Sequence, residues 1–296
     1  MLPILTIGMA TYDDYEGVFF TIQALRMYHP EVMDQVEILV IDNNPEGEEG
    51  KEVKRFIEGY EADSGLFTQG NVPNGRYIPF TEYQSSFVKG QVFEQAKGDF
   101  VLCLDSHVFL VPGSLKKLID YYSMFPDTKD LIQGPLIHDN LCNFFTHLEP
   151  KWNDMMFGNW EFAEELFNAG NPFEIPMQGC GLFSCKKEHW VGFNPKFRGF
   201  GGEEWYLQEK FRKHGGRALC LPFLQWMHRF NRVVNKPEYS LDMYARIRNF
   251  IIGWTELYGD TQHEGVQSII ENYVKLGYSE EKIKELLEGS PDNYLF

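Results

Sequence analysis

Asp105 and His107 stand two residues apart at the end of an apolar run, Phe100-Val101-Leu102-Cys103-Leu104. A run this short and this apolar reads as a buried strand. Side chains so spaced beyond a strand end can converge on one ion. A carboxylate with an imidazole suits a borderline divalent cation such as Mn2+, whereas Ca2+ prefers oxygen alone. Further on, His228 lies in Trp226-Met227-His228-Arg229-Phe230, just after a strand-like run from Ala218 to Leu224. It can complete a metal site with the first two. Between these segments, Gly199-Phe200-Gly201-Gly202-Glu203-Glu204-Trp205 places two acids at the opening of a helix. Glycines allow the backbone to approach a ligand closely. The acids alone are also what a helix N-terminus favours electrostatically.

The elements that must position these residues follow from hydrophobic spacing. Pro3 to Met9 reads as a strand ending at Ala10-Thr11-Tyr12-Asp13-Asp14. Tyr15 to Tyr28 is helical in period, and His29-Pro30 ends it. Val36 to Ile41 is a second strand, closed by Asp42-Asn43-Asn44-Pro45, with a helix expected around Lys51 to Tyr60. Residues 61–79 read as a loop carrying a short third strand, Phe80 to Gln95 as a helix, and Pro112 to Phe125 as another. This alternation predicts a parallel sheet with helices on both faces, which gathers ligands at the carboxyl ends of its strands. Three such ends carry polar groups: Asp13/Asp14, Asp42/Asn43 and Asp105/His107. Each alone reads as a turn former; together they point to a site.

Residues 131–185 lose periodicity and gain aromatics, among them Phe144, Phe145, Trp152, Phe157, Trp160, Phe162, Phe167 and Phe173, which suit either a stacking surface or a core layer under a loop. From Ser240 the chain is helical, with Ser279 as N-cap of a last helix. His29, His189, His214 and His263 read as surface or turn residues; His138 and His147, in the aromatic region, read as core or surface residues, with contact to an acceptor as the alternative.

The chain has 296 residues and a formal charge of −16, which disfavours a protein that coats nucleic acid or an anionic membrane. Its 16% aromatic content excludes a disordered chain. The charge is uneven. Residues 186–232 hold ten Lys/Arg against four acids, a balance of +6 that fits a confined anion site such as a diphosphate. The five cysteines lack CxxC spacing, so buried thiols at Cys103, Cys180 and Cys220 and a cytoplasmic, reducing location are expected. Neither a signal peptide nor a membrane span is expected.

Over about residues 3–232 these segments resemble the GT-A nucleotide-sugar glycosyltransferases, especially family 2 and the polypeptide N-acetylgalactosaminyltransferases. Thr6-Ile7-Gly8-Met9-Ala10-Thr11-Tyr12 is similar to the first strand and its uracil-contacting turn. Val40-Ile41-Asp42-Asn43 is similar to the second strand, whose acid contacts the nucleoside. Ala96-Lys97-Gly98-Asp99-Phe100 through Asp105-Ser106-His107 resembles the metal-binding D-x-D/D-x-H segment. Met177-Gln178-Gly179-Cys180-Gly181-Leu182-Phe183-Ser184 resembles the loop before the acceptor site. Phe200-Gly201-Gly202-Glu203-Glu204 resembles the G-G-E motif, and His228-Arg229-Phe230 the late His ligand with its neighbouring Arg. Each motif is modest; the six in this order are specific.

The resemblance implies an α/β, Rossmann-like GT-A domain over residues 1–235, with a mixed, mainly parallel sheet flanked by helices. A helical C-terminal extension, 236–296, would cover the acceptor side or form an oligomer interface. It implies Mn2+ (or Mg2+) on Asp105, His107 and His228, bridging the diphosphate of a UDP-sugar. Asp42 would hold the nucleoside, with Thr11 and Asp13 nearby, and Arg229 or Lys89 would pair with the diphosphate. Inverting relatives place the catalytic base immediately after G-G-E, which makes Glu204 the base and leaves Glu203 to bind acceptor hydroxyls. Retaining relatives have Asn at that position yet share D-x-H, so the sequence mixes two groups; its second acid favours inversion. The acceptor is left open among a saccharide, a protein side chain, a lipid-linked sugar and a hydroxylated nucleobase. The competing readings are a retaining transferase, a non-catalytic nucleotide- or glycan-binding module on the same fold, and a nucleotidyltransferase. The last usually wants a Gly-rich basic loop where this chain has Asp13 and Asp14.

Overall fold

The computed structural model describes residues 4–59, 72–230 and 242–288. Four strands, Leu5–Thr11 (β1), Val36–Asp42 (β2), Gly75–Pro79 (β3) and Phe100–Asp105 (β4), run parallel in the order β4-β1-β2-β3. The remaining strands among the described residues are shorter or more irregular. They are Val108–Leu110 (β5), Leu131–Gln133 (β6), Leu136–His138 (β7), Phe144–Phe145 (β8), His147–Asn153 (β9), Met156–Glu161 (β10), Phe173–Glu174 (β11), Leu182–Lys186 (β12), Ala218–Cys220 (β13) and Trp226–His228 (β14). β12 lies antiparallel against β4, and β6, β13 and β11 extend the sheet to eight strands. The expected mixed, mainly parallel sheet is therefore present. β5, β14, β7 and β8 make a second sheet, and β9 and β10 a hairpin.

Side chains alternate across a strand, so each buried strand feeds two cores. On one face Leu5, Ile7 and Met9 pack with Val18 and Ile22 of Tyr15–Tyr28 (α1), Val53 of Glu48–Glu58 (α2), and β4. On the other, Leu39, Ile41, Val101 and Cys103 meet Val92 and Phe93 of Lys89–Gln95 (α3). Ser114–Met124 (α4) joins the first core through Leu115 and Leu118. After Glu164–Ala169 (α5), Glu204–Lys213 (α6) joins the second through Leu207 and Phe211.

The expected helix from Phe80 to Gln95 forms only from Lys89, after one 3-10 turn at Ser86–Val88. A tertiary contact overrides the local period here. The Asn43 amide donates to the carbonyls of Phe80 and Tyr83 at 3.0 and 2.7 Å, and its oxygen accepts the Ser85 N–H at 3.1 Å. These are the backbone groups a helix would use. Asn43 is buried, so Asn43→Ala should cost about 1–3 kcal/mol through unsatisfied backbone groups. Denaturant unfolding checks this; an unchanged midpoint would remove Asn43 as the cause.

The C-terminal helices Met243–Tyr258 (α7), Glu264–Lys275 (α8) and Glu280–Glu288 (α9) form their own apolar core, with Trp152 and Phe157 of the β9–β10 hairpin packed against it. This settles part of the aromatic region as core. Phe144 and Phe162 stay exposed. Ser279 accepts the Lys282 N–H, as an N-cap should. The proposed boundary at residues 235 and 236 lies outside the described residues. His29 departs from expectation: it is buried under the end of α1, where burial pushes its imidazole below the ordinary value. Cys103, Cys180, Cys185 and Cys220 are buried free thiols and Cys142 is an exposed one. Among the described residues no helix is long and apolar enough to cross a membrane.

Candidate active site

Strand register levels the three polar ends. Thr11 pairs with Asp42, and Ala10 with Asp105. The short turn Ser106-His107 then leads from β4 into β5, and the buried Thr21 hydroxyl of α1 pins it by donating to the Ser106 carbonyl at 2.8 Å. β14 runs antiparallel to β5 and parallel to β7, setting His228 opposite Val108 and His138. The Trp226 indole N–H, bonded to the Gly134 carbonyl at 2.7 Å, anchors that strand. Three distant segments thus meet.

His107 Nε2 lies 3.1 Å from His228 Nε2, which lies 3.4 Å from Asp105 Oδ2. One ligand atom from each residue falls within 4.8 Å of the others. Two ring nitrogens facing each other at this distance need a proton or a shared cation between them. Burial keeps the His228 imidazole below its ordinary value, against the hydrogen bond to Asp105, so it is the neutral, ligating form that is favoured. The donor set fits a borderline divalent ion. Behind it, His107 Nδ1 meets Asp14 Oδ2 at 2.8 Å, and Ser106 Oγ donates to the same oxygen at 2.6 Å. Asp14 also caps α1 by accepting the Gly17 N–H. A carboxylate on Nδ1 fixes the tautomer in which Nε2 is unprotonated and can ligate.

Lys89 Nζ contacts Asp105 Oδ1 at 2.5 Å and donates to the Cys180 carbonyl at 3.0 Å. Burial alone would raise the Asp105 carboxyl, but Lys89 and the His228 hydrogen bond outweigh it and hold the group well below the carboxylate range. The ammonium is likewise held charged by Asp105 against its burial. Lys89, expected as a diphosphate partner, is therefore already paired with the Asp105 carboxylate.

The other sequence candidates divide. Thr11 is buried, and its hydroxyl has no partner among the described residues. Asp13 adopts φ of +48° and accepts from the Asn44 amide. Asp42 is fully buried, accepting the Asn44 N–H on one oxygen and the Tyr77 hydroxyl on the other, at 2.9 and 2.7 Å. Burial pushes its carboxyl up. Its two oxygens are thus held by the turn that follows β2 and by Tyr77 of β3. Arg229 donates its backbone N–H to the His107 carbonyl, while its guanidinium pairs with Glu16 at 2.9 Å.

Glu203 is the N-terminal flanking residue of α6 and Glu204 its first residue. Glu203 is buried with Oε2 unpartnered among the described residues, while Glu204 is half-buried. Burial, followed by the Glu204 charge, pushes the Glu203 carboxyl up to about 8. Gly201 and Gly202 adopt φ of +89° and +98°, a region that favours glycine. A Cβ on Gly201 would sit 2.3 Å from Arg246 Nε of α7, and one on Gly202 would crowd Asn249 and Phe250. The double glycine thus admits the close approach of α7.

The basic segment also reads differently in three dimensions. Lys186 pairs with Asp127 and Glu188, Lys210 with Glu256, Arg212 with Glu209, and Arg217 with Asp130. Lys187 donates to the Ala96 carbonyl, and Arg198 lies over the Tyr83 ring. These cations brace the fold instead of forming one anion rim. Asp14 is read in the sequence only as part of a polar strand end; its hold on His107 is not legible there, although an N-cap Asp before an apolar helix is a readable signal. The Cys180 carbonyl leaves no trace in a sequence.

No family model matches the chain, and no curated protein matches it. Solved structures do share its fold. The chain superposes on GalNAc-T7, solved with UDP, GalNAc and Mn2+, with a TM-score of 0.65 at 14% identity, covering 97% of this chain. It spans about half of that protein, 54% of its chain. Staphylococcus aureus TarS 1-349, in complex with UDP-GlcNAc, gives 0.55 at 11% identity over 92% of this chain and 72% of TarS. The mannosyltransferase PcManGT from Pyrobaculum calidifontis, in complex with GDP-Man and Mn2+, gives 0.54 at 12% identity over 100% of this chain and 77% of its own. The chain has the GT-A fold of these glycosyltransferase structures.

Proposed function

We propose that the chain transfers a sugar from a nucleotide-sugar, a UDP-sugar, to an acceptor hydroxyl with inversion. The observation that carries this reading is the convergence of Asp105, His107 and His228 at the carboxyl ends of a GT-A sheet. These residues would hold Mn2+, or Mg2+, whose charge neutralises a departing nucleoside diphosphate. Lys89 keeps Asp105 ionised and aimed, and Asp14 keeps the His107 ring turned. Thr11 and Asp13 border the place for the nucleoside, and Arg229 reaches the diphosphate by leaving Glu16. Glu204 takes the acceptor proton as general base. Glu203, protonated near neutral pH, donates a hydrogen bond to acceptor oxygens. The buried free thiols agree with a reducing compartment, the cytoplasm.

UDP should stabilise the protein only when Mn2+ is present. At a hundredfold excess over Kd the gain is about 2.7 kcal/mol, read as an upward shift in Tm by differential scanning calorimetry. EDTA should erase it. An equal shift without metal would sink the metal-dependent reading.

A further inference from the structure

Three hydrogen bonds of the Arg198–Glu204 loop converge on one side chain of the C-terminal helices. Asn249 on α7 is completely buried. Its amide donates to the carbonyls of Arg198 and Gly201 at 2.7 and 3.0 Å, and its oxygen accepts the Arg198 N–H at 3.2 Å. All three bonds end on the strand of backbone that carries Glu203 and Glu204 into α6. Asn249 Cβ also marks how closely Gly202 approaches the helix, 3.1 Å from where a Cβ would stand. On the opposite side, the Ser86 N–H and the Ser85 hydroxyl bond the Gly199 carbonyl at 2.9 and 3.0 Å. The loop is thus gripped between the sheet domain and α7. Glu203 has no side-chain cap bond of its own to fix it.

We propose that Asn249 is a positioning residue for the Glu203–Glu204 pair, so that α7 is a working part of the site rather than an appendage to it. The role of that pair in sugar transfer rests on the reading above; the positioning does not. Loss of the three bonds releases the loop, and water then reaches Glu203. The charged and titratable groups that face Glu203 are Glu204 on α6, Lys89 on α3, Arg246 on α7 and the Cys180 thiol. Lys89 and Arg246 lower its carboxyl, so the raised value depends on burial and on Glu204.

Asn249→Ala, with Asn249→Ser as the milder variant should alanine fail to fold, tests this. The control is Lys210→Met, which cuts a different tie between α6 and α7, the Lys210–Glu256 pair. In the Asn249 variant, binding of UDP with Mn2+ should stay within about twofold of the parent. Turnover should fall about 10- to 100-fold with donor KM unchanged, the size expected of a small misplacement of catalytic groups. The Glu203 carboxyl, followed by 13C NMR and assigned through Glu203→Gln, should titrate below its parent midpoint. Lys210→Met should change neither quantity. The proposal is overturned if the Asn249 variant keeps the parent's turnover and midpoint, or if Lys210→Met lowers both equally. If the parent turns over no nucleotide-sugar at all, the transferase reading falls, and the Glu203 midpoint still decides the positioning.

Discussion

Asp105→Ala is expected to abolish the Mn2+-dependent stabilisation by UDP and, separately, to lower the stability of the unliganded protein by about 3–5 kcal/mol. The two losses have different causes. The first removes a ligand carboxylate from a three-residue set, and two imidazoles alone hold a divalent ion poorly. The second leaves the Lys89 ammonium in a buried position, bonded only to the Cys180 carbonyl. A buried charge stripped of its partner costs far more than the pair contributed. Lys89→Met in the Asp105→Ala background should therefore recover much of the stability without restoring the Mn2+ response. Chemical denaturation reads the change in stability, and the UDP-induced Tm shift reads the Mn2+ response. If the double variant is no more stable than Asp105→Ala, the buried-charge account is wrong.

Glu204→Gln should reduce turnover by about 10²- to 10⁴-fold, the usual worth of a general base. Binding of UDP with Mn2+ should be untouched, because the metal set lies on other segments. Retained turnover would remove Glu204 from the role of base. A parent with no turnover toward any donor would favour the binding-module reading. Glu203→Gln makes the opposite contrast, since Gln resembles a protonated carboxyl in shape. The Glu203 carboxyl is raised from 4.5 to about 8 in the folded protein. Between those values the native state binds more protons than the unfolded chain. Its contribution is therefore complete below pH 4.5 and fades as pH rises through 8. Glu203→Gln should flatten the stability profile across that window, which urea titrations at several pH values would show.

Much of this arrangement was legible in the chain. Short, largely apolar runs located β1, β2 and β4, and the period of Tyr15–Tyr28 gave α1 its observed bounds. Spacing alone paired Asp105 with His107. Long-range contacts were not legible. Nothing local tells that Asn43 will claim the carbonyls of Phe80 and Tyr83 and stop a helix that hydrophobic period favours. Nor does composition reveal that a +6 segment will scatter its cations over partners from Ala96 to Glu256. Asp42 shows the same limit. Its place at a strand end was readable, and its engagement by Tyr77 was not. The double glycine was seen as a site feature, but the helix it makes room for lies about forty residues downstream.

The pairing of β14 with both β5 and β7 has a consequence for how the protein assembles. His107 and His228 are 121 positions apart in the chain, so their meeting closes a long loop and belongs to the slow, non-local part of folding. An unfolded chain offers no such set of ligands. Under the proposed reading, an ion and nucleotide bound there would tie β4 to β14, and their binding would resist unfolding in proportion to the logarithm of ligand concentration over Kd.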